Sequence, residues 1–196
     1  MGVVFEVAIV NKDLFHNYLA ICSDRMASVI ILIGVPASGK SSLAEQMLRA
    51  SSQNNSSSLT HSKTQLISPD RIRASLYGSS ATQGDWAEVW LQVQEEFANA
   101  AKSQQSVIYD ATNYKREYRK DIIALAKEYG FKPITGIWLN VPLWICLSRN
   151  ETRDRIVPED VVVEMYRTLA YTPPSLSEGF DRILFRDEKL DNEWID

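Results

Sequence analysis

Residues 29–41 read VIILIGVPASGKS, five apolar residues followed at once by the pattern GxxxxGK[ST]. The apolar run is short and rich in isoleucine, as a strand covered on both faces requires. Gly34 to Ser41 then supplies a loop, and Ser41 to Ala50 has the composition of a helix. The four fixed positions would arise by chance in about 1% of chains this long, before the flanking strand and helix are required. The spelling has a physical reason. Gly34 and Gly39 permit backbone conformations closed to other residues, so the loop, with Pro36, Ala37 and Ser38 between them, can turn successive N–H groups toward the phosphates of a nucleotide. The helix N-terminus, where Ser42 lies, adds partial positive charge. Lys40 is expected to bridge the β and γ phosphates and the Ser41 hydroxyl to ligate Mg²⁺, so ATP and Mg²⁺ are the expected cofactors.

Outward from this stretch, short apolar runs alternate with amphipathic ones. Strands are expected at Val29 to Ile33, Gln65 to Ser68, Val107 to Tyr109, Ile134 to Leu139 and Ile183 to Phe185. Between them, Asp85 can cap a helix whose Trp86, Val89, Trp90, Val93 and Phe97 form one face, and Tyr118, Ile122, Leu125, Ala126 and Tyr129 form another before Gly130. Both faces are expected in the core. The fold class is α/β: a three-layer P-loop NTPase fold, with a parallel sheet of about five strands, helices on both faces and the active site at the carboxyl edge.

Composition bounds the rest. At 196 residues, 45% apolar and 23% charged, the chain is most simply one globular domain that needs no disulfide or structural metal. Cys22 and Cys146 form no CxxC pair, and His16 and His61 are too few to complete a zinc site. A net charge of −4 excludes duplex DNA binding by bulk electrostatics. No apolar run approaches the ~20 residues that span a bilayer, and residues 1–13 lack a basic secretory n-region, so a cytoplasmic protein is expected. Residues 1–25 read as an N-terminal extension, with Met26 as an alternative start, and 26–196 as the domain. Ser51 to Ser62, SSQNNSSSLTHS, reads as an exposed polar loop.

A phosphate loop does not by itself separate a motor, a switch and a kinase. There is no NKxD guanine signature, and no long apolar strand ends in Asp-Glu, so a small kinase is favoured over a GTPase or a motor. Three clusters stand where a kinase needs them. Ser68-Pro69-Asp70-Arg71-Ile72-Arg73 follows a strand, placing Asp70 at the sheet edge as a general base for an acceptor hydroxyl and Arg73 on the same helical face to bind a substrate anion. The alternative for Asp70 is a helix N-cap. Val107 to Asn113 is an apolar strand running into Asp110, placed to hold Mg²⁺ or accept from Ser41, with Thr112 and Asn113 lining the acceptor side; a turn-and-cap role is the alternative. Arg149 and Arg153, one helical turn apart, suit a lid spanning 149–158 that covers the transferring phosphoryl group, and Arg155 could join them. Pairing with Glu151, Asp154 and Glu159 on a solvated helix is the other reading.

Taken together, GVPASGKSS, SPDRIR, YDATN, KEYGFK, RNETRDR and VPEDVVVEMY resemble the kinase domain of phage-type polynucleotide 5′-kinases and the wider zeta-toxin and polynucleotide-kinase-like group. The resemblance spans Val29 to about Phe185. It implies Lys40 and Ser41 for ATP and magnesium, Asp70 as general base, Arg73 as a clamp on substrate phosphate, Arg153 as the lid arginine and Arg149 as a further lid position in nucleotide binding. It also implies transfer of the ATP γ-phosphoryl group to a hydroxyl, a polynucleotide 5′-hydroxyl being the leading acceptor and single-stranded nucleic acid the expected partner. The wider group includes kinases of nucleosides, sugars, small alcohols and aminoacyl-tRNA, and a small-molecule kinase or a nucleotide-binding switch remains the alternative. The stretch Tyr114 to Lys132 carries Lys115, Arg116, Arg119, Lys120, Lys127 and Lys132 against Glu117, Asp121 and Glu128, compatible with a polynucleotide end.

Overall fold

The run at 29–33 is β2 (Val29–Ile33), and all five of its side chains are buried, none more than 6% exposed. The computed structural model describes residues 8–9, 27–54 and 63–187. Along the chain these form β1 (Ala8–Ile9), β2, α1 (Lys40–Asn54), β3 (Thr64–Ile67), α2 (Pro69–Tyr77), α3 (Trp86–Lys102) and β4 (Ser106–Asp110). There follow α4 (Arg116–Glu128), β5 (Ile134–Asn140), α5 (Leu143–Glu151), α6 (Glu159–Tyr171), a 3₁₀ turn (Leu176–Glu178) and β6 (Arg182–Asp187).

One parallel sheet joins the strands in the order β1-β6-β5-β2-β4-β3. The five expected strands are all present, and Ala8–Ile9 adds a sixth by pairing with Leu184 and Phe185. The alternative start expected at Met26, most of the N-terminal extension before it and Cys22 lie outside the described residues. β2 is central because its run of apolar side chains can only be satisfied where helices cover both faces. The chain builds one side of β2 with β3 and β4 and then crosses to β5 and β6 on the other. Where that direction reverses, the loops after β2 and its neighbours part, and a crevice opens at the carboxyl edge. Register places Asp110 opposite Leu32, one residue before the end of β2, so the acid at the end of β4 arrives beside the phosphate loop.

Helix faces complete the core. Val89, Val93 and Phe97 of α3 are fully buried, and Phe97 meets Tyr109 and Phe131 edge-on at ring separations of 6.0 and 5.7 Å. Trp86 and Tyr118 depart from expectation. Each stands on the first turn of its helix, beyond the sheet's carboxyl edge, and each is about half exposed and borders the crevice. The loop expected from Ser51 also shifts. Ser51 and Ser52 stay in α1, their hydroxyls donating to the Leu48 carbonyl at 2.7 and 3.0 Å, so helix continues to Asn54; the rest of that polar stretch, with His61, lies outside the described residues.

A buried ion pair ties the α4 end of the crevice to the 3₁₀ turn at Leu176–Glu178. Arg119 is fully buried; its Nε and Nη2 donate to the two Glu178 oxygens at 2.7 and 2.8 Å, and its remaining donors reach the carbonyls of Asn113, Tyr114 and Thr172. Removing either partner leaves the other charge uncompensated in the interior. Glu178→Ala is therefore expected to lower unfolding free energy by about 3–5 kcal/mol, read as a shift in the urea midpoint at unchanged slope, whereas a loss under about 1 kcal/mol would mean that solvent already reaches the pair.

Candidate active site

The loop after β2 is held before any ligand arrives. Gly34 N–H donates to the Thr112 carbonyl at 3.0 Å, which stitches the loop's entry to the end of β4. A Cβ at Gly34 would stand 2.6 Å from Ser38 Oγ and 3.2 Å from the Leu139 carbonyl, so only glycine lets the loop fold back this tightly. Ala37 at the tip has φ 60° and Gly39 has φ 92°, left-handed conformations that turn the intervening peptides inward. Pro36 to Ser42 all line the cleft.

Lys40 opens α1 and is 7% exposed. Its ammonium donates to the Val35 carbonyl at 2.7 Å and to Ser38 Oγ at 3.3 Å. Burial and the nearby Arg153 charge lower its pKa to about 8, although Asp110, Cys146 and Asp70 pull the other way. Asp110 moves up from the usual carboxylate range, chiefly because it is desolvated, while a hydrogen bond from Ser41 and the charge on Lys40 oppose the shift. A cation held in a dry recess with few partners of its own is a site prepared for a polyanion.

The facing wall comes from α2 and from the segment after α5. Pro69 starts α2 directly after β3, with Ser68 at the cap position, so Asp70 stands in the first turn and is not the cap. Its side chain is 55% exposed, and one oxygen, Oδ1, accepts from Arg73 at 2.8 Å and from Arg155 at 3.0 Å. Arg155 thus joins Asp70 from a part of the chain distant in sequence. Arg149 and Arg153 also line the cleft, but not on one helix: α5 ends at Glu151, and Arg153 follows in the turn. Sequence reasoning missed what holds that turn. Asn150 is buried, its amide donates to the Val157 carbonyl at 2.7 Å, and its oxygen accepts from Val157 N–H at 3.1 Å, closing residues 150–157 into a clasped loop. An asparagine opening a proline-bounded polar run was the only signal in the sequence.

Thr112 and Asn113 both border the cleft as expected, and Asn113 also has the turn role that was the alternative. It is 3% exposed with φ 49°, and its amide donates to the Leu32 carbonyl at 2.6 Å, which fixes the turn after β4. The basic stretch of α4 is also weaker than its spelling, because Arg119 is internally paired and Arg116 lies 3.9 Å from the same Glu178. Positive charge gathers in the cleft: Lys40, Arg73, Arg149, Arg153, Arg155 and Arg186 face Asp70, Asp110, Asp121 and Glu128 on a chain of net charge −4.

The cleft encloses about 1630 Å³, larger than the roughly 300–1,000 Å³ typical of a single-ligand pocket. The residues fit a nucleoside triphosphate: inward-turned loop peptides, a buried lysine and the arginines at 149, 153 and 155. They also fit a magnesium ion of the kind that keeps water and phosphate ligands, since Ser41 and Asp110 meet at the loop while no cluster of three or more metal-binding side chains occurs among the described residues. Among those residues, too, no helix is long and apolar enough to cross a membrane.

Over 147 residues the chain is 30% identical to the L-seryl-tRNA(Sec) kinase of Methanococcus maripaludis, covering 70% of this chain and 51% of that protein. It therefore spans about half the length of this curated relative. A chain of the Pnkp1/Rnl/Hen1 RNA repair complex shares the fold at a TM-score of 0.64 and 20% identity, over 82% of this chain and 48% of that one. A gluconokinase from Sinorhizobium meliloti 1021 does so at 0.52 and 21%, over 84% of each chain. The AAA domain family matches residues 29–172, from the first residue of β2 through the end of α6 and so through all of the cleft lining except Arg186, and this chain belongs to that family.

Proposed function

We propose that the protein is an ATP-dependent kinase that transfers the γ-phosphoryl group to a hydroxyl, and that the hydroxyl is the 5′ end of a polynucleotide. The observation that carries this reading is the Asp70 carboxylate, half exposed and flanked by Arg73 and Arg155, on the wall facing Lys40, Ser41 and Asp110. A motor or switch that only hydrolyses nucleotide has no use for a carboxylate and a paired guanidinium on a separate acceptor wall. Two substrates also account for the size of the cleft.

The chemistry follows from placement. An acceptor hydroxyl at Asp70 gives its proton to the carboxylate as its oxygen attacks the γ phosphorus. The bond from that phosphorus to the β–γ bridging oxygen breaks, and ADP leaves with that electron pair. Lys40 and Arg153 hold the charge that spreads over the transferring oxygens, and the loop peptides hold the rest of the triphosphate. Magnesium, when bound, neutralises phosphate charge, with Ser41 as its protein ligand and Asp110 accepting from Ser41 or an intervening water. Arg73 has an anion to hold if the acceptor carries a phosphodiester next to its terminal hydroxyl.

For a polynucleotide, support comes from the cationic lining of the cleft and from the likeness to an RNA-repair enzyme and a tRNA-directed kinase. Labelled γ-phosphate should pass to 5′-hydroxyl DNA or RNA oligonucleotides, and acceptor binding should weaken steeply between 50 and 200 mM salt, each phosphate contact adding about −0.7 to the logarithmic slope for a single strand. Transfer to gluconate or a free nucleoside with no transfer to oligonucleotides would move the acceptor to a small molecule.

A further inference from the structure

Trp86 is an exposed aromatic with an unusually rigid mount. It begins α3, on the same stripe as Val89, Val93 and Phe97, which are fully buried, yet it is 50% exposed and faces the cleft. Four contacts hold the start of the helix that carries it. Asp85 caps the helix by accepting from Ala87 N–H at 2.8 Å. Tyr77 hydroxyl donates to Glu88 Oε2 at 2.7 Å and accepts from Asp85 N–H at 3.1 Å. Gly84 lies so close to the Tyr77 ring that an added Cβ would meet a ring carbon at 2.0 Å, so the loop before Trp86 is folded down onto Tyr77.

The indole is also tied to the reacting end of the cleft. Trp90 stacks beside it at 6.2 Å with an interplanar angle of 27°, and the Arg73 guanidinium lies 5.7 Å from its ring centroid while donating to Asp70 at 2.8 Å. One guanidinium therefore bridges the aromatic surface and the carboxylate assigned to the acceptor hydroxyl. The neighbouring lining, Ala81, Gln83 and Gln94, is short of the carboxylates that would grip a polyol. An amphipathic aromatic pair left open to a cleft is costly to solvate and suited to a planar partner.

We infer that Trp86, backed by Trp90, is the stacking platform for the first nucleobase of the acceptor, so that the enzyme selects a base-bearing terminus over an abasic or sugar-only one. This rests on the acceptor reading above and deepens it. Arg73, in contact with both Trp86 and Asp70, sets the two groups at neighbouring positions along the cleft.

The test compares a 5′-hydroxyl oligonucleotide with the same strand carrying an abasic 5′ residue. Wild type should prefer the base-bearing strand about tenfold or more in kcat/KM; Trp86→Ala should bring that ratio close to one, and Trp86→Phe should keep most of it. A second readout is independent of transfer: a 5′-hydroxyl dinucleotide should quench tryptophan fluorescence in the wild type and much less in Trp86→Phe. Equal use of both strands by the wild type, or an unchanged ratio in Trp86→Ala, would overturn the platform and leave the kinase reading standing. Quenching lost in Trp86→Phe, with no transfer to any strand, would support the platform while the kinase reading falls. Neither quenching nor transfer would overturn both.

Discussion

Asp70→Asn is expected to lower kcat for transfer to a 5′-hydroxyl oligonucleotide by about 10²- to 10⁴-fold, the usual contribution of a positioned general base. The amide keeps the shape of the carboxylate and can still accept from Arg73 and Arg155, which now meet at Oδ1. It cannot take a proton from the acceptor. ATP affinity should change little, because Asp70 stands on the wall across from the phosphate loop and its influence on Lys40 is the smallest of the charges acting there. Stability should change by no more than about 1 kcal/mol, since a carboxylate 55% exposed to water contributes a screened ion pair. The decisive comparison is single-turnover transfer against equilibrium ATP binding. Slow transfer with normal ATP affinity supports the assignment; normal transfer would remove Asp70 from the chemistry, and equal loss of both would make it part of the nucleotide site.

What the sequence disclosed, and what it concealed, follows from the range of each interaction. The loop at 34–41 was legible because its chemistry is local: each glycine, the lysine and the serine act through backbone turns within one segment. The five long strands were legible because continuous apolar runs have few other homes in a soluble α/β protein. Asp70 was legible through Pro69, which marks where β3 stops and α2 begins. What stayed hidden has a different cause. Asn113, Arg119 and Asn150 are polar residues whose partners lie across a turn or across the fold: Leu32, Glu178 and Val157. A polar side chain read in isolation looks like a ligand-binding group, and only the contact that satisfies it shows otherwise. Trp86 and Tyr118 fail in the opposite sense. Helical periodicity assigns them to the core, but periodicity knows the angle around a helix and not where along it the sheet ends.

Lys40→Met is expected to lower kcat by at least the roughly 10²- to 10³-fold that follows loss of one preorganised donor to a developing oxyanion, whatever the acceptor proves to be. The same residue predicts two pH effects of known sign. Burial lowers the Lys40 pKa from its ordinary 10.5 to about 8, because it disfavours the charge. Above that pH a nucleotide meets a neutral amine and must bring a proton with it, so apparent ATP affinity should fall as pH rises through about 8 to 9, and Lys40→Met should not share that inflection. The second effect concerns folding. In the unfolded chain the lysine returns to its ordinary 10.5, so between pH 8 and 10.5 the unfolded state binds the extra proton. Stability contributed by this group must then rise with pH across that window and be flat below it. Below pH 8 the buried ammonium opposes folding by on the order of 3 kcal/mol, a penalty that bound phosphates would offset. Urea unfolding of wild type and Lys40→Met at pH 7 and pH 10 isolates the effect, since every other titrating group is common to both. The wild type should gain on the variant as pH rises. A constant difference would mean that Lys40 is as well solvated as a surface lysine, and the cradle would lose the electrostatic preparation assigned to it.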